Sequence, residues 1–282
     1  EIKEDGLNIK NEVFLDLNED SEQSIAGAIS EGISQLTNIF SREKPDLVLI
    51  LGDRYEIFSV AIAALICRLP VAHIHGGERT EGVIDESIRH SITKMSHLHF
   101  TATEEYRKRV AQLGENDSTI FNVGAIGIDD IKLMKFLTQD EIENKFGIKF
   151  NKRNLLITFH PVTLDQDSSR KYLKNLLDVL SEQKDTTLIF TKANADMEGK
   201  QINSELEKFV ELNPKNTFIF PSMGRLNYLS TMLYVDGIIG NSSSGIIEAP
   251  SMKVPTVNIG NRQRGRIMAK SIITCDHDTE SI

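Results

Sequence analysis

The sequence predicts an α/β protein built from two doubly wound, Rossmann-like domains facing a cleft, and three observations carry that prediction. Short apolar runs of strand length alternate with helix-like segments almost from end to end, the pattern of a parallel sheet covered by helices on both faces. At 282 residues the chain exceeds the usual size of one domain. The alternation lapses once, in a charged polar stretch around residues 137–147, and resumes at Leu155. That lapse sets the expected domains at 1–137 and 138–282.

Asp20 or Ser21 can cap a first helix whose apolar positions Ile25, Ile29, Ile33, Leu36 and Phe40 share one face and which should end before Pro45. Residues 47–51 show no polar alternation and read as a fully buried strand. Helices are then expected at 57–67, 86–95, 104–113 and from Asp129, with strands at 71–74, 98–102 and 119–123. In the second half, strands at 155–159, 187–190, 217–220, 237–239 and 254–259 alternate with helices at 170–182, 201–212, 225–234 and 245–249. Residues 1–20 are acidic and strand-poor, where a nucleotide-binding domain usually opens with a strand and a glycine-rich turn. The first domain is therefore expected to lack its amino-terminal strand.

Composition excludes several functions. Lys and Arg number 32 against 41 Asp and Glu, a formal charge of −9, which argues against a nucleic-acid groove or an anionic membrane surface. No apolar run approaches the roughly 18 residues that span a bilayer, and the amino terminus has no signal-peptide character. A soluble, cytoplasmic protein is expected. The two cysteines, Cys67 and Cys275, form neither a disulfide framework nor a metal knuckle and read as reduced thiols.

Reactive side chains crowd into residues 51–101, which hold five of the seven histidines. Gly52-Asp53-Arg54 follows a strand, and in open α/β sheets ligands sit at the carboxyl ends of strands. His73-Ile74-His75-Gly76-Gly77-Glu78 also follows a strand; alternation puts His73 and His75 on one side, and the glycines let the backbone pass close to a ligand. Zinc or iron on His73, His75 and Glu78 is chemically conceivable, but no further residue has ligand spacing, so no metal is expected. Asp85-Glu86-Ser87-Ile88-Arg89-His90 opens a helix that Asp85 can cap. With Asp53 these residues supply several carboxylates on strand-end loops, suited to moving a carbon-bound proton.

In the second half His160-Pro161 ends a strand, and proline stiffens the loop. Gly240-Asn241-Ser242-Ser243-Ser244-Gly245 runs from a strand into a helix amino terminus, where free backbone N–H groups bind phosphate. Glu248 lies one turn further and can accept hydrogen bonds from a ribose. Arg262, Arg264 and Arg266 sit in a glycine-bounded loop, and their guanidinium forks match phosphate oxygens.

Gly-Asp-Arg at 52–54, His-Ile-His-Gly-Gly-Glu at 73–78, Asp-Glu-Ser-Ile-Arg-His at 85–90, Phe-His-Pro-Val-Thr at 159–163, Gly-Asn-Ser-Ser-Ser-Gly at 240–245 and the Arg262 loop resemble, in order, the UDP-N-acetylglucosamine 2-epimerases, the hydrolysing branch above all. The resemblance implies a glycosyltransferase-B-like fold, with UDP held mainly by the second domain and the sugar in the cleft. It implies C2 deprotonation, loss of UDP to leave a 2-acetamidoglucal, and hydration to free N-acetylmannosamine, without metal, nicotinamide or other cofactor. By motif, Asp53 and Asp85 resemble the acid/base carboxylates, and Arg54 and His160 the diphosphate or sugar contacts. Asn241, Ser242 and Ser243 fall in the phosphate loop, Glu248 matches the ribose partner and Arg262 a nucleotide-binding arginine, while Gly124 and Asp129 match a further cleft motif.

Several relatives carry Glu where this chain has His75, which leaves Glu78, Glu86 or His75 itself to take that place. The same departure bears on substrate, since related hydrolysing enzymes act on UDP-2,4-diacetamido-2,4,6-trideoxyhexose rather than UDP-N-acetylglucosamine. The resemblance also implies a homodimer or homotetramer. Against the leading expectation, a hydrolysing UDP-N-acetylglucosamine 2-epimerase, stand a non-hydrolysing epimerase, a glycosyltransferase of the same fold and a non-catalytic UDP-sugar sensor.

Overall fold

The computed structural model describes residues 6–15, 21–80, 84–161, 168–193 and 199–282. The chain divides into two compact units, the first running to Ile126 and the second from Gly127 to Ile282. This division falls earlier than the lapse in alternation, because Ile128, Ile131, Met134, Phe136 and Leu137 already pack in the second unit's core.

The first unit holds a four-stranded parallel sheet, β1 (Val48–Leu51), β2 (Val71–Ile74), β3 (Leu98–Thr101) and β4 (Ile120–Asn122), in that order. Helices α1 (Glu22–Glu43), α2 (Tyr55–Ile66), α3 (Asp85–Met95) and α4 (Glu104–Gln112) alternate with the strands. Ser21 caps α1, accepting a bond from the Ser24 amide at 3.2 Å; Asp20 lies outside the described residues. Val48, Ile50, Ala61, Ala64, Val71 and Ile92 form the core.

The expectation of a fully buried first strand fails. Val48 and Ile50 are buried, but Leu49 is 62% exposed, and Leu47 and Leu51 share its face. Within the described sheet β1 is an edge strand, paired with β2 alone, so its apolar run packs on one face. The helix expected from Asp129 is also absent. A 3-10 turn, Ile126–Ile128, runs into irregular turns, tied down by Arg225, whose Nη2 donates to Gly127 O at 2.6 Å and to Asp130.

In the second unit six parallel strands run in the order β10-β9-β8-β5-β6-β7: β5 (Arg153–Thr158), β6 (Thr186–Thr191), β7 (Thr217–Phe220), β8 (Gly237–Gly240), β9 (Thr256–Ile259) and β10 (Ile272–Cys275). Strand β10 was not expected from the alternation. Helix α5 (Gln139–Phe146) begins with a capping box between Thr138 and Glu141 and ends on Gly147 in the left-handed region. It is followed by α6 (Ser169–Ser181), α7 (Gly199–Leu212), α8 (Arg225–Met232) and α9 (Ser244–Ser251). Neighbouring strand residues point into opposite cores: Leu156 and Ile189 into one, Ile157 and Phe190 into the other. Such a sheet is covered on both faces, as a doubly wound fold requires. Among the described residues no helix is long and apolar enough to cross a membrane.

Candidate functional site

The strand order of the second unit contains one reversal. The chain builds outward from β5 to β6 and β7, then returns to lay β8 on the other side of β5. Open α/β sheets bind ligands outside the carboxyl ends of strands at such a switch point. Here those ends are Thr158 and Gly240, paired in register. Gly240 has φ 138°, and a Cβ there would strike the Thr158 carbonyl, so only glycine fits.

Beyond that pair, Asn241 is fully buried and clasps His160, two residues past the end of β5. Its Oδ1 accepts from His160 N at 2.7 Å and its Nδ2 donates to His160 O at 2.8 Å. The Asn241 main-chain carbonyl accepts from Arg262 Nη1 at 3.2 Å and Gln263 Nε2 at 2.7 Å. One residue therefore fixes the His160 loop, the serine loop and the arginine loop together. Gln263, also fully buried, was not anticipated from sequence. Its only sequence signal is an uncharged side chain among arginines.

Ser243 occupies the N-cap of α9 and its side chain makes no capping bond, while Ser242 Oγ accepts from Ser244 N at 3.4 Å. The first turn of a helix presents amides that no intrahelical carbonyl satisfies, so this loop suits an anionic oxygen. Glu248 lies within α9, its Oε1 3.4 Å from the position a Cβ would take on Gly127. Asn241, Ser242, Ser243, Glu248, Arg262 and His160 are thus all in the second unit. Asp129 belongs to the turns after Gly127, whereas Gly124, at φ 85°, lies in the first unit just past β4. Val162 and Thr163 lie outside the described residues.

The first unit gathers its own cluster at the carboxyl ends of β1 and β2. Asp53 is ion-paired with Arg89, which is only 2% exposed although it sits on a helix. The other guanidinium nitrogen donates to Glu78 O and Thr80 Oγ1, both at 3.0 Å. Arg89 thereby binds the end of β1 to the loop after β2. Sequence reading included it in a motif without a role; its position between Ile88 and Ile92, on the inward face of α3, was the available signal.

His73 is buried, with Nε2 2.8 Å from Gly52 O and Nδ1 3.3 Å from Thr93 Oγ1. A carbonyl at Nε2 requires the proton there, so His73 supports the turn that carries Asp53. Burial pushes its pKa down to about 4, while the Gly52 hydrogen bond opposes the shift. The expectation that His73 and His75 share a side of the strand is not met. Strand β2 ends at Ile74, and His75 turns into the left-handed region at φ 65°. Its Nδ1 lies 2.6 Å from the carboxylate of Glu78, which is itself buried. Gly77 is required at φ 78°, where a Cβ would strike Tyr106 O.

The remaining residues are committed locally. Asp85 is the first residue of α3 and not its cap, a position held by Ile84. Glu86 accepts from Thr80 N at 2.6 Å and faces Arg79 and His90. Arg54 forms a fork with Glu56, at 3.2 and 3.3 Å, and lies over the Tyr55 ring. Among the described residues no three His, Cys, Asp or Glu side chains are grouped to hold a metal.

Two Rossmann-like units, each built on a parallel sheet, place the chain in the glycosyltransferase-B-like fold class. Along residues 1–282 the sequence matches the family described as UDP-N-acetylglucosamine 2-epimerase. It is 44% identical over 265 residues, covering 94% of this chain and 69% of the relative, to a GDP/UDP-N,N'-diacetylbacillosamine 2-epimerase (hydrolyzing) of Campylobacter jejuni. It is 43% identical over 273 residues, 96% of this chain and 69% of the relative, to polysialic acid biosynthesis protein P7 of Escherichia coli. Identity is 36% over 282 residues, 100% of this chain and 74% of the relative, to a UDP-N,N'-diacetylbacillosamine 2-epimerase (hydrolyzing) of Legionella pneumophila. The fold is similar to the UDP-GlcNAc 2-epimerase of Methanocaldococcus jannaschii in complex with UDP-GlcNAc and UDP, with TM-score 0.79 and 21% identity over 99% of this chain and 77% of that one. The chain belongs to the UDP-N-acetylglucosamine 2-epimerase family, on its hydrolysing branch.

Proposed function

We propose that the protein is a hydrolysing 2-epimerase of a UDP-linked 2-acetamido sugar. The observation that carries this reading is the Asn241 clasp, which holds a serine-rich helix terminus and Arg262 at the β5–β8 switch point, a donor set suited to a diphosphate. In this reading Ser242, Ser243 and the first amides of α9 hold the phosphates with Arg262 and His160, and Glu248 takes the ribose. Arg54 exchanges Glu56 for a phosphate or sugar oxygen, and Asp53 and Asp85 serve proton transfer.

The reaction breaks the C2–H bond, gives that proton to a base and forms a C1–C2 double bond as the C1–O bond to UDP breaks. Water then supplies hydroxide to C1 while a proton reaches C2 from the opposite face, releasing the free C2-epimeric sugar. The names of the Campylobacter and Legionella relatives favour a 2,4-diacetamido-2,4,6-trideoxyhexose over N-acetylglucosamine as the sugar. Proton NMR in deuterated water, with each UDP-sugar in turn, tests the proposal. Free UDP with a product deuterated at C2 is the expected result. A UDP-linked epimer without free UDP would indicate the non-hydrolysing reaction, and tight UDP binding without C2 exchange a sensor.

A further inference from the structure

We infer that His75 and Glu78 form an acid/base couple in which the imidazole exchanges a proton with the substrate and the buried carboxylate orients it. This rests on the proposed function. Inversion at C2 needs one proton removed from one face of the sugar and another delivered to the opposite face, so a group besides the base that removes the first proton must supply the second.

Two other carboxylates on these loops have partners of their own. Asp53 is paired with buried Arg89, and Glu86 accepts a main-chain bond from Thr80. His75 is differently placed. It adopts a left-handed backbone, which strains a non-glycine residue. The turn brings Nδ1 to 2.6 Å from Glu78 Oε1, with the His75 side chain 16% exposed and that of Glu78 only 4%. A buried carboxylate accepting from Nδ1–H fixes the tautomer and leaves Nε2 to take or give a proton.

Neighbouring elements hold the loop from several sides. His75 N donates to Phe100 O at 2.8 Å, Arg109 Nη1 from α4 donates to Gly77 O at 2.5 Å, and Arg89 Nη1 from α3 donates to Glu78 O. Among the described residues, the charged and titratable groups that hold this loop or interact with His75 include Glu78 on its own loop, His73 on β2, Arg89 on α3 and Arg109 on α4. In hydration His75 protonated at Nε2 gives that proton to C2; water adds its hydroxide to C1, and the remaining water proton restores the imidazolium. Atoms and charge balance without a co-reactant.

The test compares full-length wild type with His75→Asn, His75→Glu and Glu78→Gln. Asparagine tolerates the left-handed backbone but does not titrate, and glutamate restores a proton carrier. His75→Asn should melt within a few degrees of wild type, bind UDP within threefold, and lose at least about 100-fold in kcat. His75→Glu should recover most of that loss. Glu78→Gln should lower kcat more than it changes KM and move a limb of the pH–rate profile. His75→Asn turning over within threefold of wild type would overturn the role of His75, and an unmoved pH limb in Glu78→Gln would overturn the couple. Wild type that releases no UDP from either substrate would overturn the proposed function itself, a result distinct from active wild type with active His75→Asn.

Discussion

Asn241 and His160 are joined twice, the Asn241 side-chain amide accepting from one main-chain group of His160 and donating to the other, at 2.7 and 2.8 Å. Both residues are buried, so neither group has water as a substitute. Asn241→Ala removes both of these bonds from buried main-chain groups, and each such loss costs about 1–3 kcal/mol. Denaturant unfolding should show a loss of about 2–4 kcal/mol, and titration calorimetry should show at least tenfold weaker UDP binding. An alanine variant as stable as wild type would mean that the clasp does not hold the loops.

Ser243→Ala should behave in the opposite way. The side chain makes no capping bond, so its removal should change stability by less than about 0.5 kcal/mol. A hydroxyl donating to a charged phosphate is worth about 1.5–3 kcal/mol, so UDP affinity should fall roughly 10- to 150-fold. Unchanged affinity measured by calorimetry would remove Ser243 from the phosphate loop.

Arg89→Met removes the buried cation from Asp53 and also the donors to Glu78 O and Thr80 Oγ1. Deleting one partner of a buried pair costs about 3–5 kcal/mol, and partial exposure of the Asp53 carboxylate places this case near the lower end. The Asp53→Asn, Arg89→Met double variant should be more stable than Arg89→Met alone, because no charge is left without its partner. A chemical-denaturation cycle with a coupling energy near zero would show that Asp53 and Arg89 do not depend on each other.

The sequence shows most of this fold because strand-length apolar runs and helical stripes leave a periodic signal. It misses what depends on neighbours distant in the chain. Residues 47–51 read as buried from their apolarity, yet whether both faces of β1 are covered depends on what packs there. The expected helix at Asp129 is replaced by turns that Arg225 ties down from almost a hundred residues away. Strand β10 follows a loop rich in arginine with no helix between it and β9, so the alternation does not reach it. Within the clusters, glycine and serine spacing marks the loops, whereas the left-handed turn at His75 and the inward-facing Arg89 and Gln263 are set by tertiary packing.

His73 makes the first unit sensitive to acid. Folded, it stays neutral down to a pKa of about 4, chiefly because burial disfavours its charged form, whereas its ordinary value is 6.5. Between these values the unfolded chain binds more protons than the folded one, so stability increases with pH across that window. The contribution is complete above about 6.5 and is lost as pH falls toward 4, amounting to about 3 kcal/mol at the end of that interval. Burial also lowers the pKa of His99, against the opposing effect of Glu115, and adds a slope of the same sign. Unfolding free energy measured from pH 8 to pH 4 should therefore decline in wild type and decline less in His73→Gln. In NMR the His73 ring protons should titrate only near pH 4, and a midpoint near 6.5 would show that this imidazole is not held neutral by burial.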